Sequence, residues 1–130
     1  MTMQEKFYRC SKCGNLFGTI KDSGVVPFCC GEEMEEYVPN TSDGAVEKHL
    51  PVVSINHNVC HVEVGSVAHP MLAAHHIDWI LVATNRGRHK ITLKIDEPAV
   101  VNVPLGEDEE VLKVYANCNL HGLWVTEVKK

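Results

Sequence analysis

Near the end of the chain, residues 118–124 read CNLHGLW, with Cys118 and His121 three positions apart directly after the strand-like run EEVLKVYA. A turn at that spacing can bring a thiolate and an imidazole to one point. Soft sulfur with several nitrogens suits iron, copper or zinc and excludes magnesium or calcium. The chain has eight histidines to supply the nitrogens, at positions 49, 57, 61, 69, 75, 76, 89 and 121. His49 in EKHLP, His69 in HPM, His75 at the head of HHIDWI and His121 stand at strand ends or in loops, where a rigid scaffold can aim imidazoles at a common point. His57, His61, His76 and His89 lie in or beside strand-like runs and read as surface or structural residues.

A second constellation lies near the start. YRCSKCGNLF carries Cys10-x-x-Cys13 followed by glycine, and PFCCGEEM supplies the adjacent pair Cys29 and Cys30. Four thiolates suit a tetrahedral ion, and the glycine lets the backbone turn back toward it. Structural zinc and redox iron are both open on spacing. Adjacent ligands are unusual for zinc ribbons, because neighbouring side chains in a strand alternate in direction and would distort the tetrahedron. A disulfide between Cys29 and Cys30 is a third reading.

These residues need elements to position them. The first 37 residues hold four of the six cysteines, while the remainder holds two cysteines and all the histidines, so we expect one domain over 1–37 and another over 46–130. VPNTSDGA, residues 38–45, collects loop-forming residues and reads as the linker. In the second part, VVSIN, VCHVEV, IDWILVAT, HKITLKI, AVVNV, EEVLKVYA and LWVTEV read as seven short strands, hence an all-β protein built on a β-sandwich. In HKITLKI, Ile91, Leu93 and Ile95 alternate with Lys90, Thr92 and Lys94, the period of a strand with one wet face. PMLAAHHIDWILV is rich in Ala and Leu, but Pro70 and the β-type run after it favour a short turn entering a strand. Alternation in VCHVEV places Cys60 with Val62 and Val64 in the core and His61 with Glu63 in solvent. Along VLKVYANC, Leu112, Val114, Ala116 and Cys118 share a parity, so the Cys118 thiol emerges on the core side.

The net charge of −5 is spread over short alternating clusters, without the basic stripe of a nucleic-acid binder. Apolar runs break within a few residues, far short of the roughly 20 that cross a bilayer. The opening MTMQEKFYRC shows no apolar signal core and the cysteines cluster at metal-ligand spacing, so a reducing, cytoplasmic setting is expected.

CSKCGNLF with CCGEEM, then EKHLPV, VGSVAHPM, HIDWI and CNLHGLW stand in the order and spacing of desulfoferrodoxin, and the chain resembles that family of two-domain superoxide reductases over nearly its whole length. The first part is similar to desulforedoxin, a small iron protein, which moves the preference there from zinc to iron. The second resembles a neelaredoxin-type catalytic domain, an immunoglobulin-like sandwich. The resemblance implies two iron ions per chain. One would be held by Cys10, Cys13, Cys29 and Cys30; the other by His49, His69, His75 and His121 as equatorial ligands with Cys118 as the axial thiolate. Glu47 and Lys48 match a mobile loop pair at the catalytic iron: Lys48 would attract the anion and orient water for proton delivery, and Glu47 would close the sixth position of the oxidised iron. His76 departs from the family pattern, where many members carry Tyr, so the ligand within the His75–His76 pair is to be checked; His75 is the better choice, because it keeps the six-residue step from His69 and the distance to IDWI. The implied reaction is one-electron reduction of superoxide to hydrogen peroxide without dioxygen release, with a rubredoxin-like electron donor and a homodimeric assembly. Two rival classes remain: a cupredoxin-like electron carrier, which would want an axial Met that GLWVTEVKK lacks, and a structural module with zinc in both sites.

Overall fold

The computed structural model describes residues 5–128. Two compact units are present, divided between Val38 and Pro39.

The first unit is built from five very short strands, β1 (Phe7–Arg9), β2 (Leu16–Gly18), β3 (Phe28–Cys29), β4 (Glu32–Glu33) and β5 (Glu35–Glu36). They form a sheet of order β2-β1-β5 and a separate β3-β4 hairpin. Tyr8, Cys10 and Met34 are its buried core, with Val26 and Cys29 packed against them. Burial on that scale cannot offset the ordering of some thirty residues, so the unit depends on what its cysteines hold.

The second unit contains one helical turn, α1 (Val46–His49), and seven strands: β6 (Pro51–Asn56), β7 (Val59–Val64), β8 (Ile77–Thr84), β9 (Arg88–Thr92), β10 (Val100–Pro104), β11 (Val111–Cys118) and β12 (Gly122–Glu127). All the pairings are antiparallel, in a three-stranded sheet β10-β7-β6 and a four-stranded sheet β12-β11-β8-β9. The inward residues of both sheets share one core: Cys60, Val62 and Val64 of β7 and Val101 and Val103 of β10 meet Ile80 and Val82 of β8 and Val114, Ala116 and Cys118 of β11. That is a β-sandwich. β6 turns into β7 through His57 and Asn58, both with positive φ (51° and 62°), the backbone of a tight two-residue hairpin. PMLAAHHI makes a turn closed by an isolated Leu72–His75 bridge before β8 begins.

Three local features differ from the simple sequence pattern. Pairing in β9 stops at Thr92: the backbone N–H of Leu93 instead donates to the Asp78 carbonyl, and Ile95 is left exposed while Leu93 still packs on the core. A bulge at Leu112 opposes two residues of β11 to one of β8, so that Val111 rather than Leu112 joins the core while Val114, Ala116 and Cys118 keep their inward parity. Residues 39–45 do not run free as a linker. Asn40 is fastened to β12, its N–H donating to the Leu123 carbonyl, its side-chain amide to the Val125 carbonyl, and its Oδ1 accepting from the Val125 N–H.

Candidate metal centres

In the first unit Cys10, Cys13, Cys29 and Cys30 converge so that their sulfurs all lie within 4.8 Å of one another. Cys13 and Cys29 sulfurs are 3.6 Å apart and those of Cys29 and Cys30 3.9 Å. Bonds of about 2.3 Å to a central ion would give a tetrahedron with edges of about 3.8 Å. A disulfide needs about 2.05 Å, so the vicinal pair is not bridged; all six cysteines are free. The distortion expected of adjacent ligands does not arise, because only Cys29 belongs to a strand. Cys30 and Gly31 are the two turn residues of the β3-β4 hairpin, with φ of 53° and 80°, and the left-handed backbone swings the second thiol back to the side of the first. Gly14, at φ 80°, turns the chain after Cys10-x-x-Cys13 in the same way. Backbone N–H groups of Cys13 and Asn15 donate to the sulfurs of Cys10 and Cys13. The Cys13 amide is the main reason the Cys10 thiol is lowered to about 6, whereas the surrounding thiols, Cys13 first, push Cys30 up to about 12. Such a cluster accommodates one thiolate readily, and full deprotonation calls for a cation at its centre.

In the second unit four imidazoles form a square. Ring centroids of neighbours lie 4.7 Å (His49–His69), 4.7 Å (His69–His75), 5.1 Å (His75–His121) and 4.9 Å (His121–His49) apart, each pair nearly perpendicular. The diagonal His49–His75 measures 6.5 Å. Nε2 of His49 is 3.2 Å from Nε2 of His69 and 3.1 Å from Nδ1 of His121. A square with those edges has a half-diagonal of about 2.2 Å, close to the roughly 2.0–2.1 Å of a metal–imidazole bond. Cys118, buried at the end of β11, places its sulfur 3.8 Å from His121 Nδ1.

The fit to a metal ion can be tested on the chain's own polar atoms. His75 Nε2 is buried without a hydrogen-bond partner, a costly arrangement unless an ion takes the lone pair. On the far side of the rings, His49 Nδ1 donates to the Ala45 carbonyl and His69 Nδ1 to the Pro70 carbonyl, both at 2.7 Å, which leaves their Nε2 lone pairs facing the centre. Burial is the largest influence holding His49, His69 and His75 below the ordinary imidazole range, His69 at about 4, so these rings are neutral ligands at pH 7. His121 differs by presenting Nδ1, the nitrogen nearer its backbone, to His49 and Cys118.

His49 ends α1, and Glu47 and Lys48 occupy the same helical turn rather than a loop, both exposed. The turn is seated on residues 65–67: Glu47 O accepts from the Val67 N–H at 2.9 Å and the Ser66 hydroxyl at 3.2 Å. A Cβ on Gly65 would stand 2.6 Å from that same oxygen, so only glycine lets the backbones approach. The positive charge of Lys48 contributes to the lowering of both His49 and His75. His76 is turned away from the square, with Nδ1 bonded to the Leu72 carbonyl at 2.9 Å and Nε2 to Asp78 at 2.7 Å. His61 faces Asn102 and Glu63, and His89 faces Glu109, each outside the square. Cys60 lies in the apolar core. Four converging imidazoles exceed the two of a blue-copper site.

The family model for desulfoferrodoxin matches residues 41–127. Over 127 residues the chain is 39% identical to desulfoferrodoxin of Nitratidesulfovibrio vulgaris, covering 98% of this chain and 99% of that one. The chain belongs to the desulfoferrodoxin family. A desulfoferrodoxin homologue of Archaeoglobus fulgidus is 36% identical across 95% of this chain and 98% of its own length. The superoxide reductase crystal structure from Treponema pallidum superposes with a TM-score of 0.81 at 34% identity, covering 96% of this chain and all of that one. The chain carries two iron centres, one on four thiolates and one on four imidazoles and a thiolate: the ligand atoms of His49, His75, His121 and Cys118 lie within 4.8 Å of one another, and His69 joins them through its Nε2 beside that of His49.

Two further residues complete the second centre. Trp124 stacks on His49 at 5.0 Å and 22° and donates its indole N–H to the His121 carbonyl. A Cβ on Gly44 would meet His49, His121 and Trp124 at 3.2 Å each, so residue 44 must be small for the segment to close over the rings. Trp124 was within reach of sequence reasoning through its place in CNLHGLW; Gly44 stood in a stretch read as linker.

Proposed function

We propose that this chain is a superoxide reductase, which adds one electron and two protons to superoxide to give hydrogen peroxide and releases no dioxygen. The observation that carries the reading is the square of four neutral imidazoles beside one buried thiol, in a chain that is alike end to end with the Treponema pallidum superoxide reductase. Bound iron would supply the electron and a coordination position for the anion. The residues would do the rest. His49, His69, His75, His121 and Cys118 hold the iron. Cys118, a residue 1% exposed, has its thiol shielded from water and would give the iron a soft, electron-rich ligand. Lys48, charged and solvent-facing beside His49, attracts the anion to a protein of net charge −5 and holds water for proton delivery. Glu47, exposed on the same turn, would supply a carboxylate to the iron in its oxidised form. Cys10, Cys13, Cys29 and Cys30 hold the first iron.

The electron donor is a rubredoxin-like protein and the assembly a homodimer, readings supported by family membership. The cytoplasmic setting rests on cysteine usage; among the described residues no helix is long and apolar enough to cross a membrane. An immunoglobulin-like topology is supported by the two-sheet pairing in which β6 and β7 lie with β10, and β8 with β11 and β12. Rapid mixing of the reduced protein with superoxide tests the activity, with dioxygen and peroxide followed together. Stoichiometric peroxide without dioxygen is expected; dioxygen evolving alongside peroxide would mean dismutation and overturn the assignment.

A further inference from the structure

Cys118 and His75 reach the second centre from different elements, and the strand pairing between them is irregular at the point of approach. Asn117 of β11 opposes Trp79 of β8, yet the next residue, Cys118, opposes Ile77. Asp78 is thus the extra residue of a β-bulge lying between the two ligands, a place where bulges serve to re-aim side chains. Its carboxylate is fully engaged. Oδ2 accepts from the side-chain amide of Asn117 at 3.0 Å, and Oδ1 takes the ring nitrogen of His76 at 2.7 Å. Asn117 is buried, so its amide depends on a protein partner. The bonds continue on both sides: the His76 N–H donates to Asn119 Oδ1, the Asn119 N–H to the His76 carbonyl, and the Asn119 amide to the Ala74 carbonyl. His76 Nδ1 closes the circuit on the Leu72 carbonyl. Residues flanking Cys118 are therefore tied to residues flanking His75 by a ring of hydrogen bonds with Asp78 at its centre.

We propose that Asp78 is a positioning residue for the iron centre: by holding Asn117 and His76 across the bulge it fixes the placement of the Cys118 sulfur relative to His75. The proposal rests on the reading of these residues as iron ligands. A thiolate ligand would tune the iron according to how firmly it is held, so loosening its support should change the electronic character of the centre before it changes the fold.

Asp78→Ala in the full, iron-loaded chain is expected to shift the visible sulfur-to-iron band of the second centre and to weaken retention of that iron against a chelator roughly tenfold or more. The four-cysteine iron in the same molecules serves as the internal reference and should not change. Asp78→Asn, which keeps the shape and can keep one of the two bonds, should lie between. Asn117→Ala removes the cross-strand bond to Asp78 and should shift the band in the same direction, with the double variant adding little to Asp78→Ala at the band, since both changes break that contact. If Asp78→Ala does not accumulate, Asn117→Ala carries the test. A wild-type band and wild-type iron retention in these variants would overturn the proposal, as would additive effects. Simultaneous loss of both irons would also overturn it, making Asp78 a determinant of the fold. A native protein with no sulfur-to-iron band would overturn the assignment of the centre itself, and this proposal with it.

Discussion

Lys48 and Glu47 are neighbours on one helical turn, yet the chemistry asks opposite things of them. If the ammonium draws superoxide in, Lys48→Gln should slow the second-order reaction roughly tenfold at low ionic strength, and added salt should narrow the gap because it screens the attraction. Iron content should be unchanged. Glu47→Ala should leave that encounter almost as fast and instead shift the visible band of the oxidised protein, as water replaces carboxylate. Stopped-flow rates across a salt series, run on both variants, separate the two roles. Cys118→Ser should remove the sulfur-to-iron absorption and abolish reduction, since a hydroxyl is a poor ligand and a poor electron donor. Cys60→Ala, in the core, should leave the spectrum alone. Choosing His75 over His76 depended in the sequence on a resemblance in spacing; the structural difference between them is that both nitrogens of His76 are bonded to Leu72 and Asp78, a contact set by a bulge that no residue pattern announces.

At the scale of elements, the sandwich strands were legible because short runs rich in β-branched and apolar residues, alternating clearly in HKITLKI and VCHVEV, are bounded by Gly, Pro, Asn or charged clusters. Shorter pieces were not. EKH read as loop, since a single helical turn is too brief to display a period, and its shape comes from residues 65–67 behind it. Gly65→Ala should therefore push α1 off its seat, at a cost of about 1–3 kcal/mol for overpacking, and lower iron occupancy of the second centre selectively; metal analysis of the purified variant would show it. Cys29 and Cys30 looked mismatched because strand alternation was applied to residues of which one is in a turn. The stretch 38–45 has linker composition, but Asn40 mimics a backbone partner for β12. Farther from the metal, Glu109 joins loops at the opposite ends of several strands, accepting from the Gly106 N–H, the Thr84 hydroxyl and His89. These bonds, the Gly106 amide first, lower its carboxyl from the usual 4.5 to about 2. A depressed folded value means stabilisation that is present above pH 4.5 and lost as pH falls toward 2. Urea midpoints of wild type and Glu109→Gln should accordingly differ most near pH 5 and converge toward pH 2; a gap that stays constant would show that the carboxylate charge contributes nothing.

For the whole molecule the two units invite separate loading. Cys13→Ser should empty or disturb the first centre and leave superoxide reduction largely intact if electrons reach the second iron directly; lost activity with the second iron still bound would make the first centre an obligate relay. The two centres also differ in how they come into being. His49 and His121 meet at 3.1 Å although 72 positions separate them, whereas Cys10 and Cys29 are only 19 apart. Closing the longer loop costs about 1 kcal/mol more chain entropy. In the second unit the packed core of the sandwich can meet that cost, Cys118 itself belonging to the core. The first unit, whose buried cluster is Tyr8, Cys10 and Met34 with Phe7 buried besides, has no comparable reserve. Metallation should then follow two distinct orders of events: capture of iron by a ready-made square in one unit, and folding around the ion in the other. Hydrogen exchange on iron-free protein would display the contrast directly, with slow amides in β7, β8 and β11 and unprotected ones throughout β1 to β5.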